Sequence, residues 1–382
     1  MAQAAHLPVA YDCVHFAGDR PCAPHKTDGA VCVCEHYRRR GAHILIVKLD
    51  AMGDVLRTTC VLPGLHAHHP ECQIVWLTRP ESVALFNHNP YVSRVLALGS
   101  DECLRYLLTQ RFDLVVNLDP GAVSCELAAL AKAQDVVGFV LGDDGAVRAT
   151  NDPALAWLEM GLFDPLKRAN EATYQSIIGE IVGVPPASLA YVFNLTDDER
   201  RSGHERLRSL GLRDGVASVG INPGAGGRWP LKQWRLDGYA ELISKLHHTY
   251  GGRLQMVLLG GPGEREALAV LRSLTDVPLI DSGCDNPVRL FSALVAQCDV
   301  IVLGDTLALH LALALGRRVV VLFGPTSHAE IELFGLGEKI YPDMPCLSCY
   351  RQRCDVVPNC MQRLGADVVF AAVARQLELT VR

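Results

Sequence analysis

The stretch "ILIVKLDAMGDVLRTT", residues 44–59, decides how the rest of the chain is interpreted. Its first six residues are apolar except for one lysine, which is typical of a strand buried in a parallel sheet. Gly53 and Asp54 then stand where a helix is expected to begin. Acids are common at helix starts, because unpaired N–H groups and the helix dipole attract negative charge. Asp54 is therefore predicted to be either a capping residue or a functional carboxylate, such as a general base at the mouth of a cleft.

Short apolar strands and helix-length stretches alternate on both sides of this segment. Strands are expected at "QIVWLT", "RVLAL" and "DLVVNL" in the first half of the chain, and at "VASVGIN", "LQMVLLGG", "VPLID", "DVIVLGD" and "RVVVLFGP" in the second. Residues 140–165 are expected to be mainly loop, and residues 170–183 and 363–379 to be helical.

This alternation predicts an α/β fold of two Rossmann-like, doubly wound modules that face each other across a cleft. The expected amino-terminal module covers residues 41–186 and ends at the junction Val184-Pro185-Pro186. The expected carboxy-terminal module covers residues 187–382. Residues 1–40 contain Gly, Pro and Cys but no sustained apolar period, and they are interpreted as a cysteine-rich appendage.

The composition of the 382-residue chain excludes several classes of protein. A net charge of −6 argues against a general nucleic-acid surface, which needs a concentrated basic excess. The amino terminus has no cationic stretch and no long apolar run, so no signal peptide is predicted. No segment is long and apolar enough for a membrane span. A cytoplasmic protein without a nucleic-acid partner is therefore expected.

Ligands of open α/β sheets bind beyond the carboxyl ends of the strands. The loop "INPGAGGRWPLKQW", residues 221–234, follows one such strand. Gly224 lets backbone N–H groups approach a ligand, and Arg228 and Lys232 suit an anion such as phosphate. Trp229 stands where a dinucleotide fingerprint needs its third glycine, so that motif is not present. The alternative is a turn whose Arg and Lys face water.

Two more strand-end loops lie within residues 300–326, "VIVLGDTLALHLALALGRRVVVLFGPT". One strand ends at Gly304-Asp305-Thr306, where a helix begins, and the next ends at Gly324-Pro325-Thr326. Together they predict a diphosphate site, because a helix start offers free N–H donors. Asp305 is expected to cap the helix or to orient a sugar hydroxyl. His310, one turn further, is either a core residue or a residue that faces the same loop.

These motifs resemble those of glycosyltransferase family 9, the bacterial heptosyltransferases. The segments "ILIVKLDAMGDVLRTTCVLPGL", "INPGAGGRWPLKQW", "VLLGGPGE" and "GDTLALHLALALGRRVVVLFGPT" occur in the order and spacing of that family, and the resemblance covers nearly the whole chain after the appendage. It implies the GT-B architecture of two Rossmann-like domains. It also implies an inverting transfer from a nucleotide-linked sugar, usually ADP-heptose, without a catalytic metal.

Site residues follow from the same resemblance. The family's loop aspartate is the candidate base, which here is Asp54. The donor is expected on the carboxy-terminal module, with its diphosphate near the helix start and the 324–326 loop. Together with the loop residues above, the predicted donor-binding positions are Gly53, Gly224, Arg228, Lys232, Gly304, Asp305, Thr306, His310, Gly324, Pro325 and Thr326. No D-x-D motif is present, which agrees with metal-free chemistry.

Two positions depart from the family pattern. Many members have Lys immediately before the Arg/His-Trp-Pro stretch, where this chain has Gly227, and Gly after the Asp-Thr pair, where it has Leu307. Arg228 or Lys232 would then supply the positive charge. Two alternatives stay open: a nucleotide-sugar epimerase on the same fold, and an inactive transferase core that serves as a metal-cluster or assembly protein.

The acceptor is not named by any motif. The lipopolysaccharide inner core is the commonest acceptor of the family that the chain resembles, and protein hydroxyls and small molecules are alternatives. The candidate cleft residues for an acceptor are Arg79, Asn170 and Tyr174. An oligomer is possible.

Eight of the 14 cysteines fall into two clusters. The amino-terminal cluster is Cys13, Cys22, Cys32 and Cys34, and the carboxy-terminal cluster is Cys346, Cys349, Cys354 and Cys360. Thiols in a reducing compartment bind metal or act in catalysis more often than they form disulfides. Four thiolates saturate a structural zinc or iron ion, so a structural metal is predicted at one or both clusters, with free thiols or a redox pair as alternatives. The other six cysteines are expected to be small core residues.

Overall fold

The computed structural model describes residues 7–184, 190–225 and 229–380. Residues 7–40 form an irregular segment that contains one short helix, α1 (Ala23–Asp28), and no buried residue. The segment ends beside the first sheet, where the amide of Gly41 donates a hydrogen bond to the carbonyl of Glu71 (3.2 Å). With no buried side chain of its own, this segment has no hydrophobic core.

Six strands of the first half form one sheet: β1 (His43–Val47), β2 (Gln73–Thr78), β3 (Val92–Ala97), β4 (Arg111–Asn117), β5 (Lys132–Leu141) and β6 (Val147–Ala149). Their order is β3-β2-β1-β4-β5-β6, and all neighbours are parallel except β5 and β6. The helices of this half are α2 (Met52–Thr58), α3 (Leu62–His68), α4 (Asp101–Thr109), α5 (Ala122–Leu130), α6 (Asp152–Leu162), α7 (Asp164–Ala169) and α8 (Tyr174–Val182).

The second half repeats this topology. Its strands are β7 (Ala217–Asn222), β8 (Leu254–Leu258), β9 (Ile280–Asp281), β10 (Val300–Gly304), β11 (Arg318–Leu322) and β12 (Gly337–Ile340), in the order β12-β11-β10-β7-β8-β9 and all parallel. Its helices are α9 (Asp197–Ser209), α10 (Leu236–Tyr250), α11 (Arg265–Ser273), α12 (Val288–Val295), α13 (Leu307–Ala314), α14 (Cys360–Arg363) and α15 (Ala366–Thr380). Both halves are therefore doubly wound, as the sequence predicts.

The largest apolar cluster joins the two halves. It includes Leu56 and Val61 after β1 together with Phe291 of α12 and Leu309 of α13. Backbone hydrogen bonds cross at the same place: the amide of Tyr174 donates to the carbonyl of Glu330 at 2.9 Å. Packing and hydrogen bonds therefore hold the two halves together beside the cleft.

Some expectations about single segments need correction or stay predictions. Residues 140–165 are not mainly loop: the end of β5 forms a hairpin with β6 through Gly145, which has φ +75°, and Asn151 then caps α6. The six scattered cysteines are all buried, as expected. The junction at Pro185-Pro186 lies outside the described residues. Among the helices of the described part, none is long and apolar enough to cross a bilayer.

Candidate active site

A cavity of about 640 Å³ lies between the two halves, at the carboxyl ends of their central strands. The order of each sheet reverses beside its first strand, between β1 and β4 and between β7 and β10, and doubly wound sheets bind ligands at this point. The predicted residues that line the cavity are Gly53, Asp54, Lys232, Asp305, Thr306, His310 and Thr326. Both halves therefore contribute predicted residues to one site.

Asp54 is the third residue of α2 and does not cap it. The N-cap position is Ala51, which makes no side-chain capping hydrogen bond. The carboxylate of Asp54 instead pairs with Arg57 one turn later (Oδ1 to Nη2, 2.7 Å), and its side chain is 31% exposed. Asp54 is therefore not the capping residue of α2, and its carboxylate lines the wall of the cavity.

Helices α2 and α13 meet at Gly53. A Cβ atom at this position would lie 2.8 Å from Cδ2 of His310, so only glycine allows the approach. His310 is 4% exposed and also lines the cavity, so it is both a core residue and a site residue. Burial and the nearby Arg57 guanidinium lower the pKa of His310 to about 4, which leaves the ring neutral at neutral pH.

Asp305 connects three loops of the second half. Its carboxylate accepts hydrogen bonds from Lys232 Nζ (2.7 Å) and Thr326 Oγ1 (3.1 Å). Burial opposes its ionisation, but the neighbouring charges, chiefly Lys232, lower the pKa of Asp305 to about 2. The N-cap of α13 is Thr306, whose side chain instead donates to Asn222 (3.3 Å), so the prediction that Asp305 caps this helix is wrong.

Four predicted donor-binding positions contact other parts of the protein. Gly224 lies against Glu264, because a Cβ there would be 2.8 Å from Oε1, and Gly304 has ordinary contacts to backbone oxygens. Gly324 packs against Cys360, and the carbonyl of Pro325 accepts the amide of Tyr350 (2.7 Å). These residues shape the loops rather than the cavity wall.

Three positions named from the loop sequences remain. Arg228 and the neighbouring Gly227 lie outside the described residues. Leu307, which replaces a family glycine, is the first residue of α13 and lines the cavity without a positive φ angle. The backbone here therefore follows a path that any residue can adopt.

Arg57 is a site residue that the sequence analysis missed. Its guanidinium lies 3.7 Å above the ring centroid of Tyr174, and its Nε is buried without a hydrogen-bond partner among the described residues. Tyr174, one of the candidate cleft residues, is buried beneath it. The other candidates, Arg79 and Asn170, are not among the residues that line the cavity. The position of Arg57 one helical turn after Asp54 is the signal that could have identified it.

Two carboxylates that line the cavity were also missed. Glu264 follows β8 and lines the cavity together with Asn286, Val288 and Phe291. It ends the "VLLGGPGE" segment, so the sequence did contain a signal for it. Glu330 follows β11 and also lines the cavity, and Tyr350 donates a hydrogen bond to it (3.1 Å). No motif surrounds Glu330 in the sequence.

The cysteine clusters do not form ready metal sites. All eight thiols are free and partly buried. Within the described ranges, no group of three or more His, Cys, Asp or Glu side chains is arranged to hold an ion. In the carboxy-terminal cluster, burial and then the neighbouring thiols raise the pKa of Cys360, so these cysteines do lie near one another. A structural zinc or iron stays a prediction that metal analysis of the purified protein can decide.

Two doubly wound sheets with one cleft between them match the GT-B architecture that the resemblance implies. The family model "Glycosyltransferase family 9 (heptosyltransferase)" matches residues 102–356. The chain belongs to glycosyltransferase family 9 and is a transferase. The matched residues include Lys232, Asp305 and His310 but begin after Asp54.

Relatives and solved structures agree with this assignment. The lipopolysaccharide core heptosyltransferase OpsX of Haemophilus influenzae is 20% identical over 290 residues, which are 73% of this chain and 78% of OpsX. A family 9 glycosyltransferase from Veillonella parvula has a TM-score of 0.70 at 18% identity, over 88% of this chain and 97% of that chain. The ADP-heptose lipopolysaccharide heptosyltransferase II of Escherichia coli has a TM-score of 0.68 at 19% identity, over 89% and 100%.

Proposed function

We propose that this protein is an inverting glycosyltransferase that moves a heptose, or a related sugar, from an ADP-sugar to an acceptor hydroxyl. The observation that carries the proposal is the meeting of α2 and α13 at one cavity, which places Asp54 opposite Asp305 and His310. Family membership and the heptosyltransferase names of the relatives support the type of sugar.

The nucleoside of the donor would occupy the end of the cavity beyond β8 and β9. Pro262, Val288 and Phe291 offer apolar contacts to a base there. Glu264 is held by the amide of Gly261 (2.8 Å), and its carboxylate could also accept hydrogen bonds from ribose hydroxyls. This combination of an apolar wall and one fixed acceptor suits a nucleoside.

The diphosphate would lie at the start of α13. Thr306, Leu307 and Ala308 line the cavity, and the N-cap residue Thr306 makes no side-chain capping hydrogen bond, so the first N–H groups of the helix would be available to an anion. Lys232 adds positive charge, although Asp305 neutralises part of it. Helix N–H groups and Lys232 would stabilise the leaving ADP, and we propose that no catalytic metal takes part.

Asp54 would act as the general base. The acceptor oxygen attacks the anomeric carbon and its proton passes to the Asp54 carboxylate, while the bond from the anomeric carbon to the diphosphate oxygen breaks and ADP leaves with the electron pair. Arg57 holds the carboxylate from one side, which fixes its orientation toward the cavity. The acceptor is lipopolysaccharide core, protein or a small molecule, and the cavity does not narrow this choice.

Replacing Asp54 tests the assignment of the base. Asp54→Asn is expected to lower the rate of sugar transfer by about 10²- to 10⁴-fold, because the amide cannot accept the proton. ADP binding, measured by calorimetry, should be unchanged, because in the proposed arrangement the carboxylate faces the acceptor hydroxyl and not the nucleotide. Asp143→Asn, at an exposed loop position, is the matched control. A folded Asp54→Asn protein with full activity would refute the role.

The same assay separates the alternatives. An epimerase would convert the ADP-sugar without any acceptor, and an inactive metal-cluster or assembly protein would bind no ADP-sugar. No feature of the cavity favours either over transfer. A stable product that contains both sugar and acceptor is the result that identifies a transferase.

A further inference from the structure

Glu330 is a buried carboxylate in the segment that follows β11. It is 8% exposed and lines the cavity. Its amide donates to Ser327 Oγ (3.3 Å) and its carbonyl accepts the amide of Tyr174 (2.9 Å). Because one contact comes from each half of the protein, the backbone of Glu330 is held in place across the cleft.

The carboxylate of Glu330 has unused acceptor capacity. Tyr350 donates its hydroxyl to Oε1 at 3.1 Å. Nothing else in the described part of the chain donates to the carboxylate, and no described Lys, Arg or His is ion-paired with it. A carboxylate can accept about four hydrogen bonds, and burying one with so few partners is costly. Such a carboxylate is commonly found where a bound ligand donates the missing hydrogen bonds.

Tyr350 is shaped to make this contact. Its φ angle is +52°, in a region that bulky residues rarely adopt. The conformation is held by a hydrogen bond from its amide to the carbonyl of Pro325 (2.7 Å) and by one from the amide of Ser327 to its hydroxyl (3.1 Å). This backbone conformation therefore directs the hydroxyl group of Tyr350 toward Glu330.

The charges around Glu330 indicate what kind of ligand fits. The charges of Arg57 and Lys167 act on Glu330, and the Lys167 ammonium lies 4.4 Å above the ring centroid of Tyr350. Because Arg57 is paired with Asp54, the positive and negative charges around Glu330 are nearly balanced, and neither a cation nor an anion is favoured. A neutral hydrogen-bond donor remains, and hydroxyl groups of a sugar have this chemistry.

The sheet order indicates which part of the donor reaches Glu330. Glu330 follows β11, whereas Glu264 follows β8, and β10 and β7 lie between these strands. Three strand spacings, roughly 14 Å, separate β8 from β11. With the nucleoside beside Glu264 and the diphosphate at the start of α13, the sugar lies toward β11. Asp54 and Arg57 of the first half line this same cavity.

We propose that Glu330 accepts a hydrogen bond from a hydroxyl of the transferred sugar and so determines which sugar the donor site takes. Tyr350 is then a positioning residue that acts through Glu330. This inference rests on the proposed function, because it takes a nucleotide-linked sugar as the donor.

Binding of ADP and of ADP-heptose to Glu330→Gln tests the proposal. Loss of the charged acceptor should lower the affinity for ADP-heptose by roughly 10- to 100-fold. The affinity for ADP should be unchanged, since ADP lacks the sugar. Glu330→Gln should melt at the same temperature as the wild type or higher, because a buried charge with few partners is removed. Tyr350→Phe should show a smaller loss of ADP-heptose affinity, again without an effect on ADP.

Glu332→Gln is the matched control, since its carboxylate accepts the amide of Phe334 (2.7 Å) and does not line the cavity. The inference is overturned if Glu330→Gln keeps full affinity for ADP-heptose, loses affinity for both ligands equally, or changes only the KM of the acceptor. A wild-type protein that binds ADP but not ADP-heptose would overturn the proposed donor, and this inference with it.

Discussion

Single residues of the cleft owe their charge states to burial and to their neighbours. Asp305 and His310 lie 3.9 Å apart (Oδ1 to Nε2), yet the first stays ionised and the second stays neutral. Lys232 is in contact with Asp305 and stabilises its negative charge, while burial beside Arg57 opposes a positive charge on His310. The site thus combines a charged acceptor with a neutral ring at physiological pH.

The neutral His310 has a consequence for stability. Its folded pKa, about 4, lies below the ordinary value of a histidine, 6.5, so between these values the unfolded chain binds a proton that the folded protein does not. Folding stability should therefore fall as the pH drops from about 6.5 to about 4, by at most ~3 kcal/mol from this residue.

Chemical denaturation at a series of pH values checks this, with His310→Gln as the comparison. The variant should lose stability less steeply over the same interval, whatever its absolute stability. His248→Gln, in α10 and exposed, is the control that should keep the wild-type slope. Parallel slopes for wild type and His310→Gln would show that the ring is not held neutral.

Helices α2 and α13 decide the geometry of the site as whole elements. α13, "LALHLALA", is apolar on all sides because it is buried on almost all sides, and His310 is its polar exception. α2 is short and ends at Thr58, whose hydroxyl contacts the hydroxyl of the buried Tyr174 (2.7 Å). The close approach of the two helices at Gly53 brings the proposed base to the donor side.

A methyl group at this helix contact should separate the helices. In an exposed helix, Gly→Ala stabilises by up to about 1 kcal/mol. For Gly53→Ala we expect a net loss of stability and a lower transfer rate, because the new Cβ would lie 2.8 Å from His310 and would displace Asp54. Gly161→Ala in α6 has no atom within 4 Å of its Cβ and should gain stability. Thermal denaturation measures the stability of both variants. An equal increase in stability for Gly53→Ala and Gly161→Ala would show that α2 and α13 are not in close contact at Gly53.

The molecule as a whole is built from two sheets that share one apolar cluster. The cluster includes Trp76 and Val116 of the first half and Leu303 and Val321 of the second. A shared core links the stabilities of the two halves, in contrast to domains that are joined by a polar interface. Residues of both halves line the cavity, so a bound ligand should stabilise both halves.

Hydrogen exchange in increasing denaturant tests this coupling. Peptides that cover β1 and β10 are expected to lose protection at the same denaturant concentration, because one face of each strand packs in the shared cluster. ADP at 100 times its Kd should stabilise both peptides by about 2.7 kcal/mol. Two separate transitions, of which ADP shifts only that of β10, would show that the halves unfold independently.

The strand–helix alternation was sufficient to predict most of the fold. Short apolar runs such as "ILIVKL" are typical of buried parallel strands, and the loops that follow such strands contain Asp54 and Asp305. The stretch 140–165 was misread because Gly145 and Asn151 are equally typical of a loop; pairing of β6 with β5 is a long-range property that local composition does not encode.

Periodicity and strand-end position are local properties, and they were enough to predict two doubly wound modules, the loops at their strand ends and seven residues that line the cavity. The contacts within the site became known from the packed structure: Asp54 pairs with Arg57, Asp305 binds Lys232 and Thr326 rather than capping α13, and Glu330 lies buried beside Tyr350. The reason is physical: these contacts join residues on different loops and different halves, and burial and charge at the cleft exist only once the two sheets have packed together.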